Sequence, residues 1–258
     1  MRHEFQISPG HFVLPADLKI SNANILSRIF NEVIAHSGDK LRIDCSKAYW
    51  ISPFTVCWLA ALVDNLRNIG KTGKIIVPKR ESAKHQFDNL GVIPYLAPKR
   101  DSRSHRGTKG FSVTKLTEPS YSLAGRVVRL LTENLKGVEN FHKALHFAIR
   151  EVIENAFEHG QTDHCYMCAY SVPSKQLVRL CILDTGVGIP QSMISSGKYA
   201  DIKDDLEAVD KASQKYVSSK SEDRGIGLYI LRDVAEKNDA TLTIVSGRAK
   251  LDISKNAR

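Results

Sequence analysis

Three short glycine-containing motifs in the second half of the chain constrain its fold more than any other feature. The helix motif, EVIENAFEHG, ends an amphipathic helical pattern at Glu151–Gly160. The turn motif, DTGVGI, follows an apolar run at Asp184–Ile189, and the glycine motif, RGIGL, opens a second helical pattern at Arg224–Leu228. A helix, a strand that ends in a glycine turn and a helix that starts at glycines are typical of an α/β domain.

The helix motif combines an apolar stripe with a polar face. Apolar side chains recur at helical spacing through the predicted helix Phe141–Gly160. Glu151, Asn155 and Glu158 follow one another at helical spacing, so they share one face. On this segment alone, a solvated helix face explains the pattern as well as a functional site does.

The other two motifs suit two parts of one ligand. Asp184 ends an apolar strand as a hydrogen-bond acceptor, which an exocyclic amine such as that of adenine would satisfy, and Gly186 and Gly188 let the backbone approach a ligand closely. Gly225 and Gly227 open a helix whose free N–H groups and dipole attract an anionic phosphate. Each motif by itself also fits an ordinary strand-to-turn transition or a glycine-rich helix cap.

Taken in order, the three motifs resemble the GHKL family, whose nucleotide-binding domain has the Bergerat fold. The pattern is E-x-x-x-N-A-x-x-H-G, then D-x-G-x-G-I, a polar insertion and R-G-x-G-L, within residues 120–247. The family includes gyrase, MutL-type repair proteins, sensor histidine kinases and anti-sigma serine kinases. The resemblance implies a site for ATP and Mg²⁺, and the helix motif is most similar to that of the anti-sigma kinases.

The resemblance also implies a role for each matching residue. Glu151 corresponds to the general base, and Asn155 to the ligand of the Mg²⁺ that bridges the phosphates. Asp184 corresponds to the acceptor for the adenine amine, in a pocket shaped by its neighbouring glycines. The remaining cofactor-binding positions are Gly186, Gly188, Gly225, Gly227 and Leu228.

The polar insertion Gln191–Arg224 corresponds to the ATP lid of the family. It contains few apolar anchors, so we expect it to be mobile without nucleotide. Ser218, Ser219 and Lys220, near its end, are expected to reach the γ-phosphate.

The first half of the chain predicts a small domain in which strands and helices alternate. The predicted elements are a strand, a helix, a strand and a shorter helix: Lys40–Ser46, Ile51–Gly70, Lys74–Lys79 and Glu81–Leu96. The stretch LRIDCSKAYWIS, the long apolar helix and FDNLGV together resemble a STAS domain. The phosphorylatable serine of STAS switch proteins falls on Pro53 or Phe54 here, so the resemblance implies the fold without the phosphoswitch.

We therefore predict a STAS-like βαβα domain over residues 1–97, a basic linker over 98–119 and a Bergerat-fold α/β sandwich over 120–258. The linker prediction rests on PKRDSRSHRGTKG, where no aromatic residues interrupt the charges. GHKL domains usually finish with a Gly-Thr turn and a last strand. The ending GRAKLDISKNAR lacks that turn, so the last strand is expected to be missing, because the sequence stops short of it or the sheet lacks an edge.

The composition bears on nucleic-acid binding, on cysteine chemistry and on the location of the protein. The net charge of +9 is compatible with a nucleic-acid partner, but a basic segment without aromatics fits a solvated linker better. The odd number of cysteines argues against a disulfide framework, and Cys165 and Cys168 fall on opposite faces of a predicted strand, which argues against a metal or redox site. With no apolar run of about 20 residues and no signal peptide, the chain is expected to be cytoplasmic, without membrane contact.

Three functions follow from the resemblance, and the sequence leaves them open. The first is a regulatory ATPase that switches the interaction with a protein partner, of the STAS type or another regulatory kind. The second is a serine/threonine kinase that acts on a STAS-type partner, and the third is a sensor that binds ATP without turnover. Glu151 favours an enzyme, because a general base is needed only for chemistry. Self-association into a homodimer is also left open.

Overall fold

The structure is a computed structural model that describes residues 5–96, 110–135, 141–199, 201–217 and 225–255. It contains two compact units, one formed by residues 1–114 and 166–183 and the other by residues 115–165 and 184–258. Both contain helices and strands, which confirms the α/β class. Among the described residues, no helix is both long and apolar enough to cross a membrane.

The first unit alternates strands and helices. In chain order these are β1 (Gln6–Ser8), β2 (His11–Val13), β3 (Asp17–Leu18), α1 (Ala23–Ala35), β4 (Lys40–Asp44), β5 (Trp50–Ile51), α2 (Pro53–Asn68), β6 (Thr72–Ile76), α3 (Glu81–Asn89), α4 (Val92–Leu96), β7 (Gly110–Leu116), β8 (Cys165–Val172) and β9 (Leu177–Asp184). The outermost residues of the last three strands belong to the second unit. The predicted strand–helix–strand order after residue 40 is present, and the last predicted helix is divided into α3 and α4 at Gly91, whose φ is +78°.

A four-stranded sheet in the order β1-β2-β4-β6 forms the centre of this unit. β1 runs antiparallel to β2, whereas β2, β4 and β6 run parallel to one another. Alternation along the strands buries Phe12, Leu41 and Ile43 in the same core as the apolar side chains of α1 and α2. The opposite face carries exposed residues such as Lys40 and Arg42.

Helix α2 begins with a capping box. The Thr55 backbone N–H donates a hydrogen bond to Ser52 Oγ at 3.2 Å, and the Ser52 N–H donates one to Thr55 Oγ1 at 3.4 Å. Ser52 is 9% exposed and Thr55 is fully buried. Both hydroxyl groups therefore hold the start of the helix, where such a cap contributes about 1 kcal/mol.

Strands β7, β8 and β9 form a separate three-stranded sheet, in that order. Its strand β7 corrects the predicted linker, because residues 110–116 form a strand that buries Phe111 and Val113. This short alternating pattern directly follows a run of basic residues, and the two together have the composition of a charged linker. Residues 98–109 lie outside the described part of the chain.

A buried carboxylate joins α2 to α4 and β8 in the first unit. Asp64 is 8% exposed and accepts hydrogen bonds from Tyr95 Oη at 2.7 Å and from Tyr166 Oη at 3.0 Å. The Arg67 guanidinium lies 3.3 Å from the same carboxylate. Burial, together with the nearby Asp64 charge, raises the pKa of both tyrosines, so they remain protonated donors.

The second unit is built mainly from helices and one hairpin. In chain order these are α5 (Tyr121–Asn134), α6 (His142–Glu158), α7 (Gly188–Ser195), α8 (Asp205–Ala212), α9 (Gly227–Lys237), β10 (Leu242–Ser246) and β11 (Ala249–Ile253). Helix α6 packs against both α5 and α9. Helices α7 and α8 pack on each other, and α8 packs on the β10–β11 hairpin.

The hairpin corrects the expectation of a missing last strand. β11 pairs antiparallel with β10, from Leu242 opposite Ile253 to Ser246 opposite Ala249. Ala249 and Ile253 are buried on one face of the strand. The last strand therefore forms by pairing with β10 and burying one face, without a Gly-Thr turn.

The first part of the predicted lid also differs from the expectation of a segment with few anchors. Helices α7 and α8 lie within or at the edge of this segment, and Met193, Ala208 and Val209 are buried there. These apolar residues are few and lie among many polar ones, so they leave a weak pattern in the sequence. Ser218, Ser219 and Lys220 lie outside the described residues.

Candidate nucleotide site

The helix motif and the turn motif meet at two glycines. The Val187 N–H donates a hydrogen bond to the Gly160 carbonyl oxygen at 2.9 Å. A Cβ on Gly186 would lie only 2.0 Å from the same oxygen, far inside any normal contact distance. Only glycine therefore fits at position 186 without a shift of the backbone.

We expect Gly186→Ala to lower the free energy of unfolding by about 1–3 kcal/mol, because the added methyl group forces two backbone segments apart. Urea or thermal unfolding followed by circular dichroism measures this change. Gly125→Ala is the matched control, since a Cβ there has its nearest neighbour at 3.8 Å. Gly125 lies within α5, so alanine should be neutral or stabilising by up to ~1 kcal/mol. Equal destabilisation by both changes would contradict the proposed close contact.

Asp184 lies at the end of β9, beside this glycine contact. Its Oδ1 accepts a hydrogen bond from the Gly186 N–H at 2.9 Å, and a Cβ on Gly160 would lie 3.2 Å from that oxygen. The side chain is exposed to solvent, yet desolvation by the surrounding protein raises the pKa of the Asp184 carboxyl. An acceptor that is accessible and at the same time partly desolvated is typical of a group that lines a cleft.

Gly188 and Ser246 hold the other side of the turn. Gly188 has a φ of +81°, which glycine adopts without strain. The next residue, Ile189, donates its N–H to Ser246 Oγ at 2.8 Å. Ser246 could not be predicted from the sequence, because a serine at the end of a strand carries no pattern that indicates such a contact.

The glycine motif lies against the polar face of α6. A Cβ on Gly227, the first residue of α9, would be 2.5 Å from Cβ of Glu151. Gly225 has a φ of +88°, and a Cβ there would be 2.1 Å from the Val217 carbonyl oxygen. The first turn of α9, which includes the half-buried Leu228, therefore begins directly beside Glu151.

Glu151 and Asn155 occupy the face of α6 that points toward this region. The Glu151 side chain is 15% exposed, and its Oε1 lies 3.7 Å from Arg150 Nη2. Arg150 also contacts Glu154, with 3.5 Å between Nε and Oε1. Asn155 is half-buried, and its side-chain amide forms no hydrogen bond with any residue in the described ranges. The amide oxygen of Asn155 is thus available to a ligand.

The available donors fit Mg²⁺ only together with oxygen atoms from a ligand. In the described part of the chain, no group of three or more His, Cys, Asp and Glu side chains could hold a metal ion. Mg²⁺ bound with a nucleotide commonly takes one or two protein oxygens, and phosphates and water complete its octahedron. The Asn155 amide oxygen fits that arrangement. Cys165 supplies no thiolate, because burial raises its pKa to about 12.

The structure brings most of the predicted site residues into the second unit. Glu151 lies against the start of α9, and Asp184 lies against the end of the helix motif. The roles of these residues stay predictions. The predicted site residues that the structure describes are Glu151, Asn155, Asp184, Gly186, Gly188, Gly225, Gly227 and Leu228.

Comparison with known protein families gives one match. Residues 141–255 match the family described as histidine kinase-, DNA gyrase B-, and HSP90-like ATPase. The match spans α6, the turn after β9, α9 and the final hairpin, so it supports the GHKL superfamily and indicates ATP binding. Comparison with curated proteins gave no match, and neither did comparison with solved structures.

Proposed function

We propose, from the similarity of residues 141–255 to the GHKL-type ATPases, that the second unit binds Mg-ATP and hydrolyses it to switch an interaction with a protein partner. The observation that carries the proposal is the convergence of the three motifs. Gly186 contacts the last residue of the helix motif, Gly160, and Gly227 contacts its first residue, Glu151. This convergence supports the proposal, because the residues expected to bind adenine, to bind phosphate and to act as the base all belong to one unit.

In this proposal, different motifs bind the adenine and the phosphates of ATP. The exposed Asp184 carboxylate accepts a hydrogen bond from the adenine amine. The first N–H groups of α9 face the phosphates, since the start of a helix attracts negative charge. The Asn155 amide oxygen would hold Mg²⁺, which neutralises phosphate charge when it is bound.

Hydrolysis needs a group that takes a proton from water. Water attacks the γ-phosphorus, the bond from phosphorus to the β,γ-bridging oxygen breaks, and ADP leaves with that oxygen. The proton lost by the water passes to the carboxylate of Glu151. Glu151 suits this role because it lies beside the first residue of α9, where the phosphates bind in this proposal.

The first unit is proposed to bind the partner that nucleotide turnover regulates. The STAS-like pattern supports this role, as does a sheet whose parallel strands β2, β4 and β6 leave one face exposed. This unit carries no glycine-rich phosphate loop in its sequence.

A protein kinase that acts on a STAS-type partner is the second candidate function, because the helix motif has the anti-sigma kinase form. Phosphorylation within this chain is disfavoured by the start of α2. Ser52 Oγ and Thr55 Oγ1 lie 2.9 Å apart, and both residues are buried. A kinase could reach either hydroxyl only after this helix start had opened.

Incubation with Mg²⁺ and ATP labelled at the γ-phosphate tests the proposal. We expect labelled inorganic phosphate to appear and Ser52 and Thr55 to remain unlabelled, as measured by phosphate release and peptide mass spectrometry. EDTA provides the control without magnesium. Stoichiometric label on Ser52 or Thr55 that disappears in Glu151→Ala would establish the kinase instead. Bound ATP with neither release nor label would establish a sensor without turnover.

A further inference from the structure

One arginine ties the end of α8 to α9 in the second unit. Arg232 Nη1 donates hydrogen bonds to Asp210 Oδ1 and to Ser213 Oγ, both at 2.7 Å. Ser213 is fully buried, and its Oγ donates to the Asp210 carbonyl oxygen at 2.7 Å. The contact therefore fixes the last turn of α8 and the first residue beyond it.

Residues shortly after Ser213 contact Gly225 of the glycine motif and the first turn of α9. The Lys215 ammonium lies 5.9 Å from the centre of the Tyr229 ring, in the first turn of α9. The Val217 backbone then touches Gly225, where a Cβ would be 2.6 Å from the Val217 carbonyl carbon. Residues 213–217 are thus held at both of their ends, by Arg232 of α9 at one end and by Gly225, two residues before α9, at the other.

The arginine contact has the features of a strong polar interaction. The Arg232 side chain is 26% exposed, and its Nε donates to Glu236 Oε1 at 3.0 Å. The hydrogen bond to Asp210 is the main reason why the pKa of Arg232 is raised. A guanidinium that donates to a carboxylate in a defined direction fixes geometry as well as adding energy.

We infer that Arg232 is a positioning residue for the phosphate side of the nucleotide site. It acts through residues 213–217, which set where Gly225 and the first N–H groups of α9 lie. The inference rests on the proposed function and extends it, since Arg232 itself is not expected to touch the nucleotide. The adenine side is held by other contacts, between Gly160 and Gly186 and between Ile189 and Ser246.

If Arg232 positions only the phosphate side, its removal should weaken the binding of ATP and leave the binding of adenosine unchanged. Arg232→Met removes the donors and keeps the length of the side chain. We expect the Kd for Mg-ATP to rise roughly threefold to thirtyfold, the range of energetic coupling carried by such networks. The affinity for adenosine should stay unchanged, because the adenine contacts do not involve Arg232. Calorimetry measures the first value and ligand-observed NMR the second.

Three further variants keep the test informative. Arg232→Lys retains one cationic donor and should recover part of the ATP affinity. Asp210→Asn weakens the same contact from α8 and should reproduce the direction of the loss. Lys237→Met is the matched control, because Lys237 lies on the same helix and pairs with Asp233 at 2.7 Å; it should bind ATP like the wild type.

Hydrogen exchange of the ligand-free protein reports the same contact without nucleotide. Arg232→Met should speed exchange in residues 213–217 and leave β10 unchanged. Unchanged ATP affinity in Arg232→Met, or an equal loss of ATP and adenosine affinity, would overturn the inference while the proposed function stands. A wild-type protein that binds no Mg-ATP would overturn both.

Discussion

Replacing Glu151 by alanine should leave ATP binding close to that of the wild type and slow hydrolysis by about a hundredfold or more. This is the loss expected when a general base is removed from a proton transfer. Glu151 lies beside the first residue of α9, where the proposed function puts the phosphates, so the loss should affect turnover and not the binding of adenine. Phosphate release measured at saturating Mg-ATP, with calorimetry for the affinity, separates the two effects.

Glu154 provides a matched control for this experiment. It lies one turn further along α6, contacts the same Arg150, and its side chain is similarly buried, at 19% exposed against 15% for Glu151. Glu154→Ala should therefore hydrolyse ATP at nearly the wild-type rate. A wild-type rate in Glu151→Ala would show that the base is a different group. Equal losses in both variants would assign the effect to the Arg150 ion pairs.

Asp184→Asn should weaken ATP binding by about tenfold to a hundredfold. The change replaces a carboxylate that only accepts hydrogen bonds by an amide that also donates, so the contact with the adenine amine is lost or inverted. Losing one such bond corresponds to ~1–3 kcal/mol. Calorimetric titration with Mg-ATP measures the affinity, and an unchanged value would contradict the role of Asp184.

The same substitution should raise the thermal stability of the ligand-free protein. The pKa of Asp184 is raised in the folded state, mainly by desolvation, so the folded protein holds the proton more tightly than the unfolded chain does. Above the folded pKa, the ionised carboxylate therefore reduces stability, and the penalty is relieved as the pH falls through that pKa. Asparagine removes the charge, so a melting curve should shift upward even though nucleotide binding is weakened.

ATP binding by the wild type should also fall as the pH is lowered through the raised pKa of Asp184, because the protonated carboxyl no longer accepts from the amine. Asp184→Asn should lack this dependence. Asp204→Asn is the control, since Asp204 is exposed and caps α8 through the Glu207 N–H at 2.8 Å. Asparagine caps a helix equally well, so neither affinity nor stability should change there.

The sequence predicted the parts of the site that depend on a pattern along the chain. Helix α6 differs from its prediction by only a residue or two at each end, because its apolar stripe is long and regular. The glycines of the turn motif were predicted to let the backbone approach a ligand, and that role stays a prediction; in the structure Gly186 packs against the backbone of Gly160. Glycine leaves a clear mark in a sequence because few other residues fit where two backbones touch.

The contacts that the sequence did not predict join residues through space without a local pattern. Ser246 and Arg232 are ordinary residues of a strand and a helix until the fold brings Ile189 and Ser213 to them. Strand β7 was missed for a related reason, since a strand of a few alternating residues is recognised mainly by its partner strands. Polar contacts between distant segments are the class of interaction that periodicity cannot reveal.

The hydrogen bonds at Asp64 have a consequence for co-translational folding. Tyr166 and the buried part of β8 belong to the first unit, yet they are synthesised only after residues 115–165. At a typical ~5–20 residues per second, the N-terminal segment waits several seconds for them. During that interval Asp64 and the core around it lack the Tyr166 donor, so the first unit cannot complete its fold until β8 has been synthesised.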